Sequence, residues 1–138
     1  MYQIEVKVKF RAGHRLPEPY IGKCNNVHGE GYTGIFVFQT RNLDECGMVA
    51  DFGVIKKKIK TWIDKNMDHG YIYQKNDRVG QILEKEGFKV YEMKVAPTAE
   101  NIAFELYKKF REVDNTCILK KVGVIESWDD SIAWYIQE

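Results

Sequence analysis

Histidine and cysteine are scarce in this chain, at three each in 138 residues, and both scarcities narrow what it can do. Cys24, Cys46 and Cys117 cannot all pair within one chain and none are spaced as Cys-x-x-Cys, which argues against a disulfide scaffold and a thiolate zinc cluster. At least one thiol should be free. An excess of charge is also missing. The 21 lysines and arginines stand against 20 acids, and a net charge of +1 gives no electrostatic case for nucleic acid or an anionic membrane. The expected partner is a small molecule or another subunit. No apolar run approaches the roughly 20 residues that span a bilayer. The charged opening Tyr2-Gln-Ile-Glu-Val-Lys7 is unlike a secretory signal, so a cytoplasmic protein is expected.

What is present suffices for a core: 44% of residues are apolar and 13% aromatic. A single domain over residues 1–138 is expected, because single cores commonly run to roughly 100–150 residues. Ile4, Val6, Val8 and Phe10 alternate with Glu5, Lys7 and Lys9, the period of a strand with one buried face. A glycine-dotted loop from Gly13 to Gly31 carries Pro17 and Pro19 and leads to a second strand, Tyr32 to Thr40. Loops of that length are often functional.

Asp51 is placed to cap a helix through Asn66 with Ile55, Ile59, Trp62 and Ile63 on one side and Lys56-Lys57-Lys58 in solvent. Residues 79 to 86 read as a short helix or turn with Asp77 as its cap, and Phe88 to Val95 as a strand. Thr98 caps a helix whose Ile102, Ala103, Leu106, Tyr107 and Phe110 form a core stripe. Ile118, Val122, Val124 and Glu126 share one face of the next strand, and Ile132 to Ile136 form the last. This order predicts a segregated α+β fold, with two helices on one face of an antiparallel sheet, rather than alternating βαβ units.

His28 and Glu30 are two apart, so in extended chain they point the same way, and His14 supplies a third donor if the first strand ends beside them. Two imidazoles and a carboxylate are a recognised catalytic metal set. Such pairs also arise by chance, and scattered histidines often sit hydrogen-bonded in a surface or core. Cys24 lies close enough for a metal-stabilised thiolate, or is a small buried hydrophobe. Asp68 and His69 could form an oriented carboxylate–imidazole pair, but neighbours in extended chain face opposite ways, so the pairing requires a turn. Glu126 either meets the N–H groups of a heterocycle or marks where its strand meets solvent.

Several segments resemble one family in order and spacing. They are Phe10-Arg-Ala-Gly-His14-Arg-Leu-Pro17, Gly22-Lys-Cys24-Asn-Asn-Val-His28-Gly-Glu30-Gly-Tyr32, Gly47-Met-Val-Ala-Asp51-Phe52, Met67-Asp68-His69, Pro97-Thr98-Ala99-Glu100-Asn101 and Val124-Ile-Glu126. The chain resembles the 6-pyruvoyl-tetrahydropterin and 6-carboxy-tetrahydropterin synthases along nearly its whole length. The resemblance implies a T-fold that assembles through strand edges into an oligomeric barrel, a homo-hexamer of two trimers with active sites at subunit interfaces.

It further implies a zinc ion held by His14 and by an H-G-H segment, which here reads His28-Gly29-Glu30. Glu30 thus stands where a third histidine is usual, and another divalent metal remains open. Three residues between Cys24 and His28 match the bacterial and archaeal carboxy-tetrahydropterin type. The implied activity is a lyase that converts 7,8-dihydroneopterin triphosphate to 6-carboxy-5,6,7,8-tetrahydropterin, acetaldehyde and triphosphate, on the route to queuosine or a related deazapurine. Cys24 is the implied general base, Asp68 and His69 relay protons, and Glu126 holds the pterin, with Phe52 and Thr98 lining its pocket. Arg15 and Lys23 either neutralise the triphosphate or are ordinary solvated charges. The alternatives are a pyruvoyl-type synthase, a pterin side-chain aldolase, or a T-fold protein that binds pterin without turnover.

Overall fold

The computed structural model describes residues 1–127 and 130–138. Strand β1, Tyr2–His14, is longer than its alternating stretch suggested and buries Val6, Val8, Phe10, Ala12 and His14 on one face. It pairs antiparallel with β2, His28–Thr40, in unbroken register from Tyr2 opposite Thr40 to His14 opposite His28. The loop between them is therefore shorter than expected, residues 15–27, and contains one 3₁₀ turn at Lys23–Asn25.

Helix α1, Phe52–Asn66, starts where Asp51 accepts the Val54 N–H, and it buries Ile55, Ile59 and Ile63. Trp62 packs edge-on against Phe110 and Tyr91, with ring centroids 5.6 Å apart in both cases, which ties α1 to the last helix. Strand β3, Gly70–Gln74, follows, then α2, Arg78–Lys85, and β4, Val90–Met93. Helix α3, Ala99–Phe110, begins at the Thr98 cap and buries all five residues of its predicted stripe. Strands β5, Ile118–Glu126, and β6, Ala133–Ile136, complete the sheet in the order β4-β3-β1-β2-β5-β6.

The α+β class and the two long helices on one face stand as expected, but the sheet is mixed. β3 runs parallel to β1 and β4 parallel to β3, and the other pairings are antiparallel. A parallel neighbour needs a crossover of about a dozen residues, which residues 75–89 supply through α2. This third helix lies on the opposite face, where Gly80 packs on the Tyr73 ring, while Ile72 points into the core. A Cβ on Gly80 would come within 2.0 Å of that ring, so only glycine fits.

One face assignment also needs correction. Register slips between Val37 and Phe38, which pair with Lys121 and Leu119, leaving Lys120 as a bulge. An extra residue reverses side-chain parity, so Leu119 joins Val122 and Val124 in the core and Ile118 turns outward at 66% exposure.

Candidate metal centre

The open end of the β1–β2 pair builds the site. His14 and His28 are directly opposed in the ladder, with ring centroids 4.5 Å apart at 62°, and Glu30 follows two residues on, facing the same way. One ligand atom from each of His14, His28 and Glu30 lies within 4.8 Å of the others, and His28 Nε2 is 3.9 Å from Glu30 Oε1. Tetrahedral zinc with bonds of about 2.0–2.1 Å holds its ligands roughly 3.3–3.4 Å apart, so a closing movement of about half an ångström brings the His28–Glu30 pair to that spacing.

The ring nitrogens are committed in the sense that metal binding needs. His14 Nδ1 lies 2.9 Å from the Pro97 carbonyl, and a carbonyl only accepts, so Nδ1 carries the hydrogen and Nε2 keeps a lone pair. That Nε2 is buried and has no hydrogen-bond partner among the described residues. An unsatisfied buried acceptor costs about 1–3 kcal/mol, which a bound cation would offset. His28 Nδ1 is likewise directed at a carbonyl, that of Asn26 at 2.7 Å, which leaves its Nε2 toward Glu30. Burial lowers the His14 pKa to about 4, the Pro97 carbonyl opposing and His28 adding to the effect, so the ring is neutral near pH 7. The donor set therefore fits a divalent ion.

Tyr32, buried on the same face, places its hydroxyl oxygen 3.1 Å from His14 Nδ1. Burial, then the charges of Glu126 and Glu30, hold its phenol far above the usual range. Glu126 is the cross-strand partner of Tyr32, which places it beside the metal residues. The sequence reading missed Tyr32 and the Pro97 carbonyl. Tyr32 looks like any core aromatic in an apolar strand, and a backbone carbonyl leaves no residue signature.

Asp68 and His69 do pair: Asp68 Oδ2 accepts from His69 Nδ1 at 2.8 Å. The turn this requires is supplied by His69 itself, whose φ of 60° is left-handed. The β1 backbone holds the pair from both sides, since Arg11 N–H donates to Asp68 Oδ1 at 2.9 Å and His69 N–H donates to the Arg11 carbonyl at 2.6 Å. Burial opposes ionisation of Asp68, but the Arg11 N–H, His69 and Lys60 outweigh it and hold the carboxyl below its usual range. Glu30, Tyr32, Asp68 and His69 line one open cleft of about 790 Å³.

His14, His28 and the remaining expected site residues do not line that cleft. Cys24 sits in the 3₁₀ turn, half-buried, with its side chain hydrogen-bonded to Tyr20. Phe52, 62% exposed, lines a separate groove with Tyr2, Met48 and Val49. Thr98 spends its hydroxyl on capping α3, although its neighbour Pro97 reaches His14. Arg15 is not a free solvated charge, because its Nε donates to Asp77 Oδ1 at 3.0 Å. Lys23 remains exposed.

A sequence model of 6-pyruvoyl tetrahydropterin synthase matches residues 3–138. The chain belongs to the 6-pyruvoyl tetrahydropterin synthase family. It is 44% identical over 102 residues to a 6-carboxy-5,6,7,8-tetrahydropterin synthase of Rickettsia bellii, covering 72% of this chain and 73% of that protein. It is 32% identical over 126 residues to the Haemophilus influenzae protein of the same name, covering 86% and 88%. The solved 6-pyruvoyl tetrahydropterin synthase of Caenorhabditis elegans superposes with a TM-score of 0.71 at 27% identity, over 99% and 96% of the two chains. An uncharacterized Wolinella succinogenes protein shares the fold at a TM-score of 0.86 and 21% identity, over 99% and 98%. The tetrahydropterin-synthase fold and the family expected from the sequence motifs are both borne out.

Proposed function

We propose that the chain is a metal-dependent lyase of the 6-carboxytetrahydropterin synthase type. It takes 7,8-dihydroneopterin triphosphate and water to 6-carboxy-5,6,7,8-tetrahydropterin, acetaldehyde and triphosphate, for queuosine or a related deazapurine. The observation that carries this reading is the buried His14 Nε2, without a hydrogen-bond partner among the described residues, on a side chain grouped with those of His28 and Glu30, in a chain whose relatives bear that enzyme's name. A divalent ion there, zinc in this proposal, would supply Lewis acidity to the substrate's side-chain hydroxyls. His14, His28 and Glu30 hold it.

The protein's own residues do the rest. Cys24 removes a proton from the side-chain carbon as general base. Asp68, acceptor-only as a carboxylate, keeps the proton of His69 on Nδ1, so that Nε2 is free to take up and return protons. Glu126 binds the pterin by its amino and ring N–H edge, two parallel donors meeting two carboxylate oxygens. Phe52 and the backbone at Thr98 flank the ring. Because Cys24, Phe52 and the Asp68–His69 pair lie on separate parts of one chain, the proposal includes a homo-oligomer, a hexamer of two trimers, in which neighbouring copies complete each site. The short edge strands β4 and β6 are the surfaces through which such a barrel would close. In this reading residues 1–138 act as one T-fold domain in the cytoplasm.

The test is to strip the protein with a chelator, restore single divalent ions, and follow acetaldehyde release from dihydroneopterin triphosphate. Release that depends on one ion supports the assignment, and no release with any divalent ion sinks it. A pyruvoyl-type synthase, the reading favoured by the name of the Caenorhabditis elegans protein, would release triphosphate without acetaldehyde in the same assay.

A further inference from the structure

Two buried polar side chains stand out among the described residues, His14 at 1% exposure and Asp77 at 3%, and Asp77 has no part in the chemistry above. We propose that Asp77 is a positioning residue that, through the Arg15 guanidinium, sets the place of Cys24. The inference rests on the reading of Cys24 as the general base.

Residues 18–27 bury no side chain, so hydrophobic packing cannot fix the segment that carries Cys24. Polar contacts hold it instead. The Cys24 carbonyl accepts from Leu16 N–H at 2.8 Å, and the Asn25 side-chain amide donates to the Leu16 carbonyl at 3.0 Å. Arg15 Nη1 donates to the Asn25 carbonyl at 3.1 Å, while its Nε donates to Asp77 Oδ1 at 3.0 Å. The carboxylate is itself pinned: Tyr71 hydroxyl donates to Oδ2 at 3.2 Å, and Val79 N–H, in the first turn of α2, donates to Oδ1 at 3.2 Å. A chain of contacts thus runs from β3 and α2 to the turn that carries Cys24. It depends on the planar fork of arginine, which serves two acceptors at fixed angles as lysine cannot.

The metal donors are held chiefly by the β1–β2 register, and His14 by the Pro97 carbonyl outside the loop; the Asn26 carbonyl, which meets His28 Nδ1, is their one link to the clamped segment. Loosening the clamp should therefore move the thiol and spare the metal. The test uses Cys46→Ser as the parent, so that Cys24 is the accessible thiol, Cys117 being buried at 7% exposure. Asp77→Ser keeps a good helix cap but gives up the carboxylate that Arg15 meets, whereas asparagine would keep the one oxygen that accepts from both Arg15 and Val79; Arg15→Lys keeps the charge and removes the fork.

Each metal-loaded variant is compared with the parent for iodoacetamide alkylation of Cys24 across pH, for bound metal, and for kcat and KM. The expected result in both variants is alkylation at least about fivefold faster, with metal content unchanged. Where the parent turns over, kcat falls about tenfold or more with KM within about twofold, because a misplaced base costs rate rather than binding. Alkylation within about twofold of the parent in either folded variant, or loss of the metal, would overturn the proposal. If the parent itself releases no acetaldehyde, the functional reading fails, while the alkylation comparison still decides whether the clamp positions Cys24.

Discussion

Replacing Asp68 by asparagine changes one atom and, on this structure, reverses the proton arrangement of His69. The native carboxylate accepts twice, from Arg11 N–H at 2.9 Å and from His69 Nδ1 at 2.8 Å. Asparagine has only one accepting oxygen, and the fixed backbone donor of Arg11 claims it. The amide NH₂ is then left facing His69, and it can only donate, so Nδ1 becomes the acceptor and the ring proton moves to Nε2. A neutral imidazole protonated at Nε2 cannot take up a proton there. The loss expected for a positioned acid/base group held in the wrong tautomer is about 10²–10⁴ in kcat, with KM little changed. Stability should fall by only about 1 kcal/mol, since the Arg11 contact survives and His69 is an exposed residue. Steady-state kinetics measures the first quantity, and ¹⁵N spectra of the His69 ring read the tautomer directly. Wild-type kcat in Asp68→Asn, or a ring that keeps its proton on Nδ1, would refute the reasoning.

Three further outcomes follow from the same contacts. Glu30→Gln should weaken divalent-metal binding at least about tenfold in a chelator competition, since even outer contacts of a metal site cost that much; unchanged affinity would place Glu30 outside the coordination sphere. Gly80→Ala should destabilise by about 1–3 kcal/mol or more in urea unfolding, because the new methyl would overlap the buried Tyr73 ring; a neutral result would mean α2 is free to shift. The contacts that lower the Asp68 pKa make the folded state the better holder of the carboxylate, so their stabilisation is present above the unfolded value of 3.8 and is lost as pH falls through the lower folded value. The stability gap between wild type and Asp68→Asn should accordingly not narrow from pH 7 to about 5 and should close below about 4, and a gap that closes above pH 5 would contradict the assigned contacts.

The features legible in the sequence were those written in local periodicity. The three helix caps at Asp51, Asp77 and Thr98, the core stripes of α1 and α3, and the alternation of β1 depend on residues a few positions apart. β3 was missed because Gly70–Gln74 is short and its Tyr71, Ile72 and Tyr73 are buried on both faces, which removes the alternation that marks a strand. Its parallel pairing followed the same blind spot, since a βαβ crossover cannot be inferred without its first strand. The bulge at Lys120 inverted the faces of Ile118 and Leu119 for a reason held in the pairing with β2 rather than in β5 alone.

At the site, the spacing of His28 and Glu30 gave their common direction, but only the full β1–β2 register brings His14 opposite His28. The turn that joins Asp68 to His69 lies in one backbone angle, and the Arg15–Asp77 link joins residues 62 apart. Neither has a local signature.

The measurement that bears most directly on the account is product analysis of the purified, metal-loaded protein acting on dihydroneopterin triphosphate, beside His28→Ala. The account predicts 6-carboxytetrahydropterin and acetaldehyde in equal amounts from the wild type, and neither product, with no stoichiometric metal, from the variant. Tetrahydropterin formation without acetaldehyde, or the same products from a metal-free His28→Ala protein, would contradict it.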